Sequence, residues 1–209
     1  MPPSTRDSHT TDHATGPAAP GPGGREVVMS FSRINLLAIP VAIAVILVAL
    51  IPYALVWGLD RLWEGIARFF ALGSLLPAAL IGIVLHEMLH GVTWALAGRR
   101  PFSSIRFGFN VATLTPYAHF KEPLPANQYR LGAAMPGLAL GVLPLVIAFA
   151  TGNGWLAGFG TLFLVAAGGD ILILWMLRHV PASSNIQDHP SQPGCIVYDT
   201  DPSAAGIRD

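Results

Sequence analysis

Residues Phe69–Ala97 read FFALGSLLPAALIGIVLHEMLHGVTWALA. The run exceeds the about 20 residues that a helix needs to cross a hydrocarbon core. Its only ionisable side chains are His86, Glu87 and His90. A charged side chain at mid-helix costs about 2.5–3.5 kcal/mol even on the lenient insertion scale. Three such residues inside one apolar span therefore call for something that binds to them.

Three further apolar stretches flank this one: Ile34–Trp57, Leu131–Ala150 and Trp155–Leu177, the last two joined by the tight turn Thr151-Gly152-Asn153-Gly154. Pro77 marks a kink or start in the second span. Gly137-x-x-x-Gly141 and Gly154-x-x-x-Gly158 put small residues on one helix face, which lets helices approach closely in lipid. Composition agrees with this reading. The 209 residues are 52% hydrophobic and 11% charged, whereas a soluble domain runs near about 25% charged. Lys+Arg and Asp+Glu are 12 each, so there is no basic stripe for nucleic acid. Cys195 is the single cysteine, which excludes an internal disulfide and any CxxC metal site. The expected fold class is an all-α integral membrane protein, a bundle of four transmembrane helices with a small cytoplasmic β-hairpin between the second and third.

The hairpin falls at about 102–120. Ile105, Phe107, Phe109 and Val111 alternate with polar or small neighbours, and Thr113, Thr115, Tyr117 and His119 continue the period of two. It reads equally as a lid packed on the bundle or as an edge that receives an extended peptide. Residues 1–29, rich in Pro, Gly, Ser and Thr, read as a disordered tail in which His9 and His13 are solvated. The tail is not a signal peptide, because the first apolar run starts too late and runs too long. Met29 offers an alternative start. A membrane domain over 30–180 is followed by an irregular cytoplasmic tail over 181–209. With the N-terminus inside, Arg6, Arg25, Arg33, Arg99, Arg100, Arg106, Lys121, Arg130, Arg178 and Arg208 are cytoplasmic, and only Arg61 and Arg68 are outside. This predicts a multi-pass protein of the cell membrane with both termini cytoplasmic.

Across the four spans the only carboxylate or imidazole side chains are His86, Glu87, His90 and Asp170. His86-Glu87-Met88-Leu89-His90 is HExxH. Residues i and i+4 share a helix face, so both imidazoles can reach one metal ion, and Glu87 projects from the adjacent flank. Zinc would lower the pKa of a water in its open position to about 7, and Glu87 would take that proton as the oxygen attacks a carbonyl. A catalytic zinc needs a third protein ligand, and the candidates are Asp170, His119, Glu122, His179 and His189. Depth favours Asp170. His90 precedes Arg99 by nine residues and Asp170 precedes Arg178 by eight, which puts both roughly 12–14 Å below one boundary at about 1.5 Å per residue. The preceding Gly168-Gly169 would let the backbone approach closely. The competing readings are histidines and an aspartate that merely bond to neighbouring helices. Two imidazoles and a carboxylate suit zinc or iron.

The segments HEMLHG, FKEPLPANQYRL, GGDIL and DHPSQPG resemble a family of small bacterial membrane proteins catalogued as zincin peptidases within a domain of unknown function. The resemblance covers roughly Leu75 to Tyr198. More distantly, the arrangement is similar to site-2-type intramembrane zinc metalloproteases, with HExxH on one core helix and an aspartate on a later one. The resemblance implies His86, His90 and Asp170 as ligands of one Zn2+ per chain and Glu87 as the catalytic base. The chain lacks the Asn-Pro near the aspartate and the PDZ domain that site-2 proteases often carry. The expected function is a zinc-dependent intramembrane metallopeptidase that cuts a membrane protein or membrane-associated peptide near the cytoplasmic face. Its partners would be the lipid bilayer and that substrate, with no nucleic acid. The alternative is a non-catalytic zinc-binding membrane protein acting as a structural or regulatory partner. A metal transporter fits poorly, because spans one and three hold no acidic, basic or imidazole side chain. Asp188-His189-Pro190 reads as a cap of the tail against the mouth of the site.

Overall fold

The computed structural model describes residues 24–110 and 115–199. The expectations for 1–23, for Val111 and Thr113 of the hairpin and for 200–209 lie outside the described residues. Helix α1 (Phe31–Trp57) starts at Ser30, whose hydroxyl accepts from the Arg33 N–H at 3.3 Å, a common N-cap arrangement. Its large side chains, among them Leu36, Ile43, Val48 and Leu55, are exposed, as an apolar helix facing lipid should be. The chain reverses at Gly58, whose φ of +87° favours a residue without a Cβ.

Helix α2 (Leu59–Phe70) buries Leu62, Gly65 and Phe69 and carries Asp60, Arg61, Glu64 and Arg68 elsewhere on its surface. The expected second span therefore starts late: Phe69 belongs to this amphipathic helix, and α3 (Leu72–Gly98) begins after a break at Ala71. Burial of Phe69 against Trp155 and Phe159 accounts for its apolar character without membrane crossing. A short 3-10 turn (Phe102–Ser104) leads into β2 (Ile105–Asn110) and β3 (Thr115–Phe120). They pair antiparallel, with Ile105 opposite Phe120 and Phe107 opposite Ala118.

After β4 (Leu124–Pro125), helix α4 (Ala126–Pro136) passes through a π-helical segment (Gly137–Val142) into α5 (Leu143–Thr151). Gly152 ends α5 at φ +68°, and Asn153 caps α6 (Gly154–Ala166) through the Trp155 and Leu156 N–H groups. Helix α7 (Gly168–Leu177) follows at a 49° bend. The expected fourth span is thus two helices. Three helices, Phe31–Trp57, Leu72–Gly98 and Ala126–Thr151, are each long and apolar enough to cross a membrane. The α6–α7 pair passes the same test only when taken together. Helices α2 and α6 touch backbone to backbone, since a Cβ at Gly65 would stand 2.2 Å from Gly154.

The fold is mostly helical, yet all-α is corrected by a four-stranded antiparallel sheet in the order β1-β6-β5-β4. Strand β1 (Gly24–Val28) lies in the segment expected to be disordered, and β5 (Asn185–Asp188) and β6 (Gly194–Tyr198) lie in the tail expected to be irregular. Each strand is only two to five residues long, and its partners sit far away in sequence, so the stabilising contacts are invisible to local periodicity. The sheet packs on the ends of α3, α4 and α7 through Trp94, Tyr129, Leu177, Ile186, Cys195 and Val197. A second core, Tyr53, Leu62, Ala148 and Ala157, closes the other end.

Candidate metal centre

The group forms where α3 and α7 meet. His86 and His90 fall one turn apart on α3 and aim at Asp170 in the first turn of α7. His86 Nε2 lies 3.1 Å from Asp170 Oδ2, and His90 Nε2 lies 3.3 Å from Asp170 Oδ1. One ligand atom from each residue lies within 4.8 Å of the others. A tetrahedral ion with bonds of about 2.0–2.1 Å sets its ligand atoms about 3.3 Å apart, close to the two His–Asp separations, so the donor set could hold zinc. Among the described residues no fourth His, Cys, Asp or Glu joins the group.

His90 is oriented from behind. Its Nδ1 lies 2.9 Å from the Gly132 carbonyl oxygen, which makes Nδ1 the protonated nitrogen and leaves the Nε2 lone pair facing Asp170. That carbonyl is available for a local reason. In a regular helix it would accept from the N–H four residues on, and that residue is Pro136, which has none. Trp94 stacks on His90 with ring centroids 5.2 Å apart, Tyr129 stacks on Trp94 at 5.4 Å, and Trp94 Nε1 donates to the Tyr129 carbonyl at 3.0 Å. Gly132 and Pro136 escape sequence reasoning, although a proline four residues after a glycine in an apolar span is the signal of a freed carbonyl.

Gly91, directly after the motif, leaves room for Phe107 of β2, since a Cβ there would stand 2.5 Å from the ring. This brings the hairpin against α3, and the Ala118 N–H of β3 hydrogen-bonds to the Glu87 carboxylate. A cavity of about 660 Å³ opens onto the group, lined by His86, Glu87, His90 and Asp170 together with Pro116, Tyr117 and Ala118 of β3. Asn35 of α1 also lines it, a polar residue in an apolar span that the sequence reading passed over. Asp188 and Tyr129 border the same space.

The other candidate ligands go elsewhere. His119 faces Asp188 at 3.4 Å, and Glu122 pairs with Arg100 at 3.3 Å. The His189 ring nitrogen Nδ1 accepts from the Ser191 and Gln192 N–H groups, and His179 is exposed. The glycine pair before Asp170 does not serve a close approach. Gly168 meets only Val41 at 4.0 Å and Gly169 meets nothing within 4 Å. They sit instead at the α6–α7 bend, and Gly169 leaves open space on the cavity wall.

A family model described as "Putative zincin peptidase" matches residues 79–185, a stretch that includes both histidines, Glu87, the hairpin and Asp170. No curated protein and no solved structure matches the chain.

Proposed function

The chain belongs to this zincin peptidase family, and from that premise we propose that it is a zinc-dependent intramembrane metallopeptidase. It hydrolyses a peptide bond of a membrane protein or membrane-associated peptide near the cytoplasmic face. The observation that carries the reading is the convergence of His86, His90 and Asp170 beside Glu87 on one open cavity.

His86 and His90, through Nε2, and Asp170 would hold the ion. Zinc, when bound, polarises a carbonyl and acidifies water. Glu87 takes a proton from the attacking water and passes it to the amine that leaves, so the bond ends as a carboxylate and an amine. The Ala118 N–H holds the Glu87 carboxylate in place for both transfers. A helical substrate hides its carbonyls in hydrogen bonds and must unwind to be cut. Strand β3 borders the cavity, and the carbonyls that Pro116 and Ala118 turn away from β2 offer acceptors to which the N–H groups of the unwound segment can pair.

Strand pairing supports a particular membrane placement. Strand β1 precedes α1, β4 lies between α3 and α4, and β5 and β6 follow α7, yet all four belong to one sheet. The number of crossings between any two of them must be even. This supports counting the bent α6–α7 pair as the fourth crossing, with the amphipathic α2 on the opposite face. The ten-to-two distribution of Lys and Arg supports a cytoplasmic sheet.

Metal content of detergent-purified protein tests the reading. Wild type is expected to carry about one zinc per chain, and His90→Ala and Asp170→Ala to lose it. Glu87→Gln should keep the zinc and lower cleavage by about 100-fold or more. Wild-type protein purified without chelators and free of metal would sink the peptidase reading. A non-catalytic zinc protein remains the second reading, and it would show the same metal content with no cleavage by any variant. The absence of a fourth donor side chain among the described residues favours the catalytic one.

A further inference from the structure

A further, part-buried carboxylate borders the cavity, and the chemistry above does not use it. Asp188 is the last residue of β5, and its side chain is 15% exposed. Two donors and a histidine from two other elements surround it. Tyr129 Oη on α4 donates to Oδ1 at 2.5 Å, the Phe120 N–H of β3 donates to Oδ2 at 3.1 Å, and His119 Nδ1 of β3 stands 3.4 Å from Oδ2.

These partners sit on the two sides of the site. Tyr129 belongs to the stack that runs through Trp94 to His90. Phe120 and His119 end the strand whose Pro116, Tyr117 and Ala118 line the cavity and whose Ala118 N–H meets Glu87. One carboxylate thus ties the helix behind His90 to the strand beside Glu87. Its two oxygens accept in different directions, which an amide of the same shape cannot do, since Asn offers one acceptor oxygen and turns an NH2 toward a donor.

We propose that Asp188 is a positioning residue that holds β3 at a set distance from the metal group, and so fixes the register in which an extended peptide lies with its carbonyl at the metal. The proposal rests on the peptidase reading and on pairing along β3. The spacing matters because successive residues of a strand are about 3.3 Å apart, and a displacement of about 1 Å at a reacting carbonyl can cost about 100-fold in rate.

Two probes separate metal binding from strand binding in the zinc-loaded full chain. Acetohydroxamate chelates the metal alone, whereas a tripeptide hydroxamate also has a backbone to pair with β3. Asp188→Asn is expected to keep its zinc and its acetohydroxamate affinity, and to bind the tripeptide hydroxamate about tenfold more weakly, the worth of one charge-assisted hydrogen bond. Tyr129→Phe, which removes only the Oη donor, is a milder second variant should Asp188→Asn fail to fold. It should weaken the tripeptide probe selectively, and adding it to Asp188→Asn should cost less than the sum of the two. Unchanged binding of the tripeptide probe, or equal weakening of both probes, would overturn the positioning role. Wild-type protein that binds acetohydroxamate but gains nothing from the peptide would overturn the strand pairing and the proposal with it. Wild-type protein that binds neither probe would overturn the peptidase reading itself.

Discussion

At Gly132 a methyl group would stand 2.1 Å from Trp94 Cδ1, so Gly132→Ala must push the indole off the face of His90 or pull the Gly132 carbonyl away from Nδ1. Either movement disturbs a candidate metal ligand through its hydrogen-bond partner, a kind of change that typically costs about 10–100-fold in affinity. We expect zinc affinity of Gly132→Ala, measured by competition with a chelator, to fall within that range. Gly73→Ala on α3, where nothing lies within 4 Å of the added carbon, is the control and should leave it unchanged. The two kinds of residue differ in how far they can be read from the chain. His86, Glu87 and His90 are legible because helical spacing alone puts them on adjoining faces, and Asp170 because its depth below Arg178 matches that of His90 below Arg99. The part played by Gly132 depends on which helix packs against α3, and no local pattern records that.

Helix α7 carries Asp170, and its C-terminal end is held by a residue from another helix. The Arg130 guanidinium of α4 donates to the carbonyls of Leu177 and Val180, groups that a helix end otherwise leaves to water. A cation at this end also meets the negative pole of the helix. Arg130→Gln is expected to destabilise the protein by about 1.5–3 kcal/mol, read from denaturant unfolding in micelles. Both bonds come from the one nitrogen Nη2, so Arg130→Lys, whose ammonium has three donors on a differently shaped stem, should restore part of this. The element boundaries follow the same divide between local and distant causes. Apolar length locates α1, α3 and the α4–α5 span to within a few residues. The break at Ala71 was not legible, because apolar side chains lie on both sides of it, and the bend between Ala166 and Gly168 was missed because the Gly168-Gly169 pair reads equally as room for a close approach.

The sheet joins the two ends of the described chain, and Cys195 reports on its integrity. This residue is fully buried in β6 opposite Val27, and burial pushes its thiol up to about 12 from 9.0. The neutral thiol therefore favours the fold fully below pH 9, and that contribution is lost as pH rises toward 12. At neutral pH Cys195 should resist alkylation in the folded protein and react fully once the protein is denatured. A chain begun at Met29 lacks β1 and leaves β6 as an open edge, so its Cys195 should label at least about tenfold faster than that of the full chain. Equal labelling rates would show that β1 does not protect the sheet. No strand of this sheet was legible at the outset, since Val27 and Cys195 become neighbours only after the seven helices α1 to α7 lie between them. That separation sets an order of events during synthesis. The helices can enter the membrane one after another as they emerge, but β1 must wait for nearly the whole chain before its partner exists. Asp188 and the Pro193-Gly194 turn at the rim of the cavity arrive with that last segment. On the proposed membrane placement the histidines are therefore in the bilayer well before the walls around them are complete, and a ribosome that stops short of Gly194 releases a protein with an unfinished mouth.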